Sequence, residues 1–393
     1  MRADPLRTLH VVEATTAGVR RYVTTLAAGL RARGMEAAVA APWQRSEHYG
    51  DTAFVEDLKR QNVPFYPVPM WRGIGPWDVV TLVALCRLLC EGRFSIVHTH
   101  SSKGGFLGRF AARICKVSAI HTPNGLYFLE KTGVGHQFYL SLERLAGYLT
   151  TAMIAVSEDE RDVLVRSQIC DAKQIRVIHN GVDIACIDQK SSLTRAEAKL
   201  RLDIHPDQRV VGVVGRLVPQ KAPLVFVQAA KRVAKQAPNA LFVWVGSGPL
   251  QARVESQARK VGVPLRLLGH REDVWEVMRA FDVFVLPSQY EGLPFALLEA
   301  MALSLPVVVT NVVGIRDVVK DQASGLIVPA NAPAAMASAV LSLFRDPQRA
   351  GALAATARHK VITEFAVEQM LDRHQALYEE VCARHAQACA PGE

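Results

Sequence analysis

Short apolar runs alternate with amphipathic helical stretches along this chain, and the alternation occurs twice. That pattern argues for parallel sheets wound with helices on both faces. Thr8–Val12 reads as the first strand, and Val19–Arg33 as a helix stopped by Gly34. Further strands are expected near Ala37–Ala41, Val63–Tyr66, Ile96–Thr99, Ser118–Ile120, Met153–Val156 and Arg176–Ile178. Ser157 and Glu160 are spaced as a capping box opening the next helix. The apolar period lapses over Ala185–Asp207. It resumes with Val210–Val214, Leu241–Val245, Leu265–Leu268, Val283–Leu286 and Pro306–Val309. Two doubly wound units, residues 1–184 and 208–363, joined by a linker over 185–207, are the simplest account. A pair of such units is expected to bind ligands in a cleft, at the carboxyl ends of the strands. A long amphipathic helix is expected from Glu364 to about Ala386.

A chain of 393 residues suits two such domains better than one large core. No apolar run approaches the ~18 residues that cross a bilayer, and the first residues run straight into a strand, so a cytoplasmic protein is expected. The seven cysteines agree, because Cys86 and Cys90 have neither a zinc nor a redox spacing. The net charge of +9 is shared by both halves. No aromatic-rich or other nucleic-acid motif accompanies it, and an anionic membrane surface or a phosphate ligand accounts for so mild an excess.

Two segments carry chemistry. In PSQYEGLPFALLEAMA, Pro287–Ala302, Glu291 follows a strand in a Gly/Pro-rich turn and Glu299 lies about two turns into a helix. Such carboxylates accept hydrogen bonds from sugar and ribose hydroxyls, and the helix start suits phosphate. In VVGRLVPQKAPL, Val213–Leu224, Arg216 follows the end of a strand and Lys221 begins a helix. A planar fork and a point charge together match the oxygens of a departing nucleoside diphosphate. No Asp-x-Asp pair accompanies them, so no metal and no cofactor is expected, the two cations taking the place of a divalent ion.

GRLVPQK, VGSGP at Val245–Pro249, LGHREDV at Leu268–Val274 and the Glu-x7-Glu element resemble family 4 of the retaining glycosyltransferases in order and spacing. The first half resembles it too, in Ala17–Gly34, HTHSSKGGFLGRFAAR at His98–Arg113, AVSEDE at Ala155–Glu160 and IHNGVD at Ile178–Asp183. The His98–Arg113 stretch looks most like enzymes of bacterial surface-polysaccharide assembly. The resemblance implies a GT-B fold: two Rossmann-like domains facing a cleft, the first for acceptor and the second for the nucleotide sugar, with the last helix crossing back to the first. It implies that Arg216 and Lys221 hold the diphosphate, Glu291 the donor sugar and Glu299 the ribose. The amides of Phe295 and Ala296 would touch phosphate or sugar oxygens, while Gly18 and Gly246 would let backbone approach the donor. The family usually places a histidine in a T-x-H-G-like turn; here IHTPNGLYF puts Asn124 at that place and His121 three residues earlier.

On the acceptor side, His98, His100, Lys103 and His121 are candidates for contact with an acceptor phosphate. Lys103–Lys116 sets Arg109, Arg113 and Lys116 at helical spacing beside Phe106, Phe110 and Ile114. That pattern suits a membrane surface, but an ordinary amphipathic helix with its cations in water is the commoner case and the favoured one. The expected function is transfer of a sugar from a UDP- or GDP-sugar to a lipid-linked or growing glycan, at the inner face of the membrane. The alternatives are a sugar-nucleotide epimerase on the same fold and a non-catalytic nucleotide-sugar-binding partner.

Overall fold

The computed structural model describes residues 6–43, 50–71 and 73–389. The chain divides into two compact units, Met1–His179 with Met370–Glu393 (unit 1) and Asn180–Gln369 (unit 2). Among the described residues, no helix is long and apolar enough to cross a membrane.

Unit 1 is built on seven strands: β1 (Arg7–Val12), β2 (Glu36–Ala41), β3 (Phe65–Pro67), β4 (Ile96–His100), β5 (Ser118–Thr122), β6 (Ala152–Ala155) and β7 (Ile175–Val177). They form one parallel sheet in the order β3-β2-β1-β4-β5-β6-β7. Every residue of β4, β5 and β6 is buried, as a sheet covered on both faces demands. Unit 2 repeats the scheme with β8 (Arg209–Val214), β9 (Ala240–Val245), β10 (Leu265–Gly269), β11 (Val283–Leu286), β12 (Val307–Thr310) and β13 (Leu326–Val328), in the parallel order β10-β9-β8-β11-β12-β13. Its core stacks Phe226 edge-on against both Phe242 and Trp244, with ring centroids 6.0 and 5.6 Å apart.

Strand order reverses between β1 and β4 in unit 1, and between β8 and β11 in unit 2. In open α/β sheets those reversals leave a crevice at the carboxyl ends of the strands, where ligands bind. In unit 2 the segments leaving β8 and β11 are the two that carry the cations and the acids.

The segment read as a linker folds into two short helices, Ile184–Lys190 and Arg195–Arg201, both part of unit 2. The second opens on a full capping box from Thr194 and Glu197. The terminal helix starts at Val367 rather than Glu364: helix Pro347–Glu364 ends first, and Val182 pairs with Ala366 at the break. Residues from Met370 onward belong to unit 1. A Cβ on Gly29 of helix Ala17–Ala32 would lie 2.4 Å from Leu371, so the two helices pack at backbone distance there. The ion pair of Arg33 with Asp372 (2.6 Å) holds the same contact from the rim.

Candidate active site

In unit 2 the site begins where β8 ends. Gly215 extends the ladder by donating to the Val245 carbonyl, and its own carbonyl accepts from the Trp244 indole at 2.7 Å. The neighbouring strand leaves through Gly246, whose φ of +125° is closed to ordinary side chains. A Cβ there would meet the Gly215 carbonyl oxygen at 2.2 Å, and one on Gly248 would meet that of Leu217 at 2.5 Å. Leu217 donates to Ser247, and Leu250 donates to Leu217, so the two turns lie back to back with backbone touching backbone. Gly246→Ala is therefore expected to destabilise unit 2 by about 2 kcal/mol or more, lowering its melting temperature by roughly 5 °C in a thermal scan. An unchanged melt would show that the turn relaxes freely.

Beyond Arg216 the chain tightens into a single 3₁₀ turn, Pro219–Lys221, and Ala222 takes a left-handed φ of +44° before helix Pro223–Ala234. That turn is stapled to the segment after β11. Gln220 donates to the Tyr290 carbonyl at 3.0 Å, and Gln289 donates back to the Gln220 carbonyl at 2.8 Å. The staple sets Lys221 against Glu291 in an ion pair whose side chains are 14% and 6% exposed. Gly314 approaches Gly292 so closely that a Cβ would overlap its carbonyl oxygen, and Asn180 donates to the Leu293 carbonyl at 2.7 Å. The loop carrying Glu291 is thus gripped from both sides.

Pro294 leads into helix Phe295–Ala302, whose start carries the Phe295 and Ala296 amides. Glu299 lies on that helix, 3% exposed, and accepts from the Trp275 indole at 2.7 Å. Arg216 is exposed in its turn and makes no ion pair with any described residue. The structure thus joins Lys221 to Glu291, gives Glu299 a separate partner, and leaves Arg216 exposed in its turn. Two buried polar atoms in this region, Ser288 Oγ and Asn180 Oδ1, have no hydrogen-bond partner among the described residues. Neither residue is among the site candidates read from the sequence, although Ser288 lies in Pro287–Ala302 and Asn180 in Ile178–Asp183.

In unit 1, Asn124 occupies a turn after β5 with φ +54° and donates to the Thr122 carbonyl at 3.3 Å. The residue that shapes this turn was not foreseen as such. Ser157 caps the following helix by accepting from the Glu160 amide, as a capping box requires. The Glu160 carboxylate does not return to the cap. It accepts from the Gly125 amide (3.2 Å) and the Val156 amide (2.7 Å), tying the Asn124 turn to the end of β6. Burial pushes this carboxyl up to about 7, against the pull of the two amides. Gly18 is exposed in the first turn of helix Ala17–Ala32.

The acceptor candidates end up elsewhere than expected. His98 and His100 are fully buried. His98 bridges Tyr378 (2.5 Å) and Thr122 (2.7 Å), while His100 meets His10 at 3.1 Å, and Tyr22 meets His374 at 2.7 Å. These side chains seal the terminal helix onto β1, β4 and β5, so neither histidine reaches an acceptor. Burial lowers the pKa of His10 to about 3 and of His374 to about 4, and holds His98 and His100 well below the usual imidazole value. One ligand atom each from His10, His98 and His100 lies within 4.8 Å of the others. Both His98 nitrogens are engaged by hydroxyls, and one nitrogen each of His10 and His100 by the other. His121 is likewise buried, bonded to Thr99 at 2.9 Å, with its ring against Gly105. Lys103 pairs with Asp78 at 2.7 Å and donates to the carbonyls of Trp71 and Gly73, so its charge is spent inside unit 1.

Arg109, expected at a membrane, is 0% exposed. Its guanidinium meets Glu143 at 2.9 Å and the Gly105 carbonyl at 2.9 Å, because this face of the helix packs inward. Arg113 and Lys116 are exposed.

Comparison with known proteins agrees with this architecture. Residues 16–185 match the family described as Glycosyltransferase Family 4, and residues 194–360 the family described as Glycosyl transferases group 1. Over 308 residues the chain is 33% identical to UDP-Gal:alpha-D-GlcNAc-diphosphoundecaprenol alpha-1,3-galactosyltransferase of Escherichia coli, covering 77% of this chain and 79% of that protein. It is 25% identical over 331 residues to the capsular polysaccharide biosynthesis glycosyltransferase CapM of Staphylococcus aureus, covering 82% and 87%. The solved structure of Anabaena HepE in complex with UDP-glucose shares the fold, with a TM-score of 0.81 over 95% of this chain and 100% of that one, at 18% identity.

Proposed function

Because the chain belongs to glycosyltransferase family 4 and its two parallel-sheet units have the GT-B architecture, we propose that it moves a hexose from a UDP-sugar to a lipid-linked glycan, with retention and without a divalent metal. The observation that carries the reading is the Lys221–Glu291 pair, held where strand order reverses between β8 and β11. A nucleoside diphosphate leaving a sugar develops charge on its phosphate oxygens, and preorganised cations stabilise that charge most where water is excluded. Lys221 supplies such a cation, and Arg216, exposed in the same turn, supplies a second. Glu291 is the acceptor for donor hydroxyls, Glu299 for the ribose, and the amides of Phe295 and Ala296 face phosphate or sugar oxygens at the helix start. In the retaining step the bond from the anomeric carbon to the diphosphate breaks. The acceptor hydroxyl oxygen bonds to that carbon on the same face, and its proton passes to the departing phosphate. The acceptor falls to unit 1. A galactosyl donor and an N-acetylglucosaminyl-diphosphoundecaprenol acceptor, the substrates in the name of the Escherichia coli relative, are the first pair to try. A lipid-linked acceptor also sets the work at the membrane surface.

The test is nucleoside diphosphate release from UDP-galactose, UDP-glucose, UDP-N-acetylglucosamine and GDP-mannose, with and without that acceptor, in EDTA. Acceptor-dependent release, with an α-linked product by NMR, is expected for one UDP-sugar. A converted sugar without acceptor would identify an epimerase, and donor binding without turnover a binding protein. Loss of turnover in EDTA would end the metal-independent reading.

A further inference from the structure

An exposed apolar ridge on unit 1 is not used by any of this chemistry. Trp71, Ile74, Trp77, Val79, Val80 and Val83 are each at least 40% exposed, with Ile74 and Val79 at 62%. They lie in sequence on one loop and the start of helix Asp78–Gly92. The opposite face of that helix supplies Leu85 and Leu89 to the core, so the helix is apolar on both sides. A helix apolar all round is expected to be covered on all of them. Contiguous exposed apolar surface on this scale marks a docking face.

The loop is braced to display these side chains. Lys103 pairs with Asp78 and donates to the Trp71 and Gly73 carbonyls, the Trp77 indole donates to the Gly73 carbonyl at 3.0 Å, and the Trp77 ring covers Gly75. Pairing also removes the Asp78 charge from the ridge.

The flank of the ridge is basic. Arg87, one turn beyond Val83, is exposed. Cys115 reaches the Cys86 carbonyl at 3.6 Å and Cys90 Sγ at 3.8 Å. That contact brings the end of helix Ser102–Ile114, with exposed Arg113, Ile114 and Lys116, beside the second half of helix Asp78–Gly92. Arg93 is exposed at its end, against one exposed acid, Glu91.

We infer that this ridge, from Trp71 to Val83, is the surface by which the protein lies on an anionic lipid bilayer. The inference rests on the proposed lipid-linked acceptor and names the part of unit 1 that meets the lipid. Indoles settle among headgroups, aliphatic side chains enter the acyl boundary, and a basic flank draws anionic lipid. A second copy of the chain fits less well, since a two-fold contact would set this basic flank against its own image.

Vesicles of phosphatidylcholine with roughly one third phosphatidylglycerol are the probe, read by co-sedimentation and by the tryptophan emission maximum. The wild-type chain is expected to bind and shift to the blue. Ile74→Asp with Val83→Asp, both at exposed positions, is expected to weaken binding at least ~10-fold. Arg113→Glu with Lys116→Glu is expected to weaken binding to anionic vesicles and leave that to phosphatidylcholine alone unchanged. Absence of wild-type binding, or binding untouched by the Ile74/Val83 variant, would overturn the inference. So would a wild-type dimer in sedimentation velocity that this variant dissociates without any change in vesicle binding. Turnover separates this claim from the enzymatic one. On a short-chain, water-soluble acceptor the Ile74/Val83 variant is expected to match wild type, and on long-chain acceptor in vesicles to fall behind it. Vesicle binding that follows these variants in a protein with no transfer to either acceptor sinks the proposed function and leaves the surface standing.

Discussion

Lys221→Ala is expected to lower acceptor-dependent nucleoside diphosphate release by ~10²–10³-fold, the usual cost of removing one preorganised charge from a developing anion. Glu291→Ala is expected to fall in the same range, through lost contact with the donor sugar. Each single variant also breaks a nearly buried ion pair, with side chains 14% and 6% exposed, and strands the surviving partner. Stranding a buried charge costs up to ~3–5 kcal/mol, more than losing both partners together. Stability and chemistry therefore separate in a double-mutant cycle. Lys221→Ala/Glu291→Ala is expected to regain part of the lost melting temperature and none of the lost rate. If the double variant recovers rate along with stability, or if Lys221→Ala turns over near the wild-type rate at matched folded concentration, the pair is a fold element and the proposed site is wrong.

Unit 1 is expected to unfold between about pH 6.5 and 5, with unit 2 still folded. His10, His98, His100, His121 and His374 are all 0% exposed and all belong to unit 1. Burial holds His10 down to about 3 and His374 to about 4, and the other three well below 6.5. Rings with a lowered native pKa stay neutral when folded and take up protons at about 6.5 when unfolded. Stability is therefore full above 6.5 and drains as the pH falls. One pH unit below 6.5, each ring costs about 1.4 kcal/mol, so five cost roughly 7, comparable to the whole stability of an ordinary domain. Glu160 works the other way: with its carboxyl raised to about 7, the native state gains a proton first, and stability rises as the pH falls from 7 toward 4.5. That is one group against five. The histidines His205, His270 and His359 of unit 2 are exposed. Hydrogen exchange by mass spectrometry across a pH series resolves the halves. Protection lost from both units at one pH, or retained in unit 1 below pH 4, would contradict the prediction.

The doubly wound plan, most strand positions and the two segments that bring Lys221 to Glu291 were legible in the chain itself. Val283–Leu286 is a strand with the bounds its apolar run suggests, and Gly246 and the Glu291 loop do adopt the turns their glycines and prolines imply. These features are local: a strand, a turn or a cap is decided by side chains a few residues apart. β13, three residues long, is too short to declare a period. The helix break at Phe365 and Ala366 leaves no mark in the pattern, because apolar residues continue on both sides of it.

Burial of polar side chains was decided by tertiary structure. His98 and His100 end a strand and read as residues facing a ligand. They lie instead under a helix arriving from nearly three hundred residues away, where Tyr378 meets His98. Arg109 reads as an outward cation until Glu143, on another helix, is packed beside it. Glu160 reads as a cap until the Asn124 turn offers its Gly125 amide. Local patterning determines which elements form and which residues lead out of them. Which of those residues keep contact with water depends on long-range packing, and a partner distant in sequence leaves no periodic trace near the residue it covers.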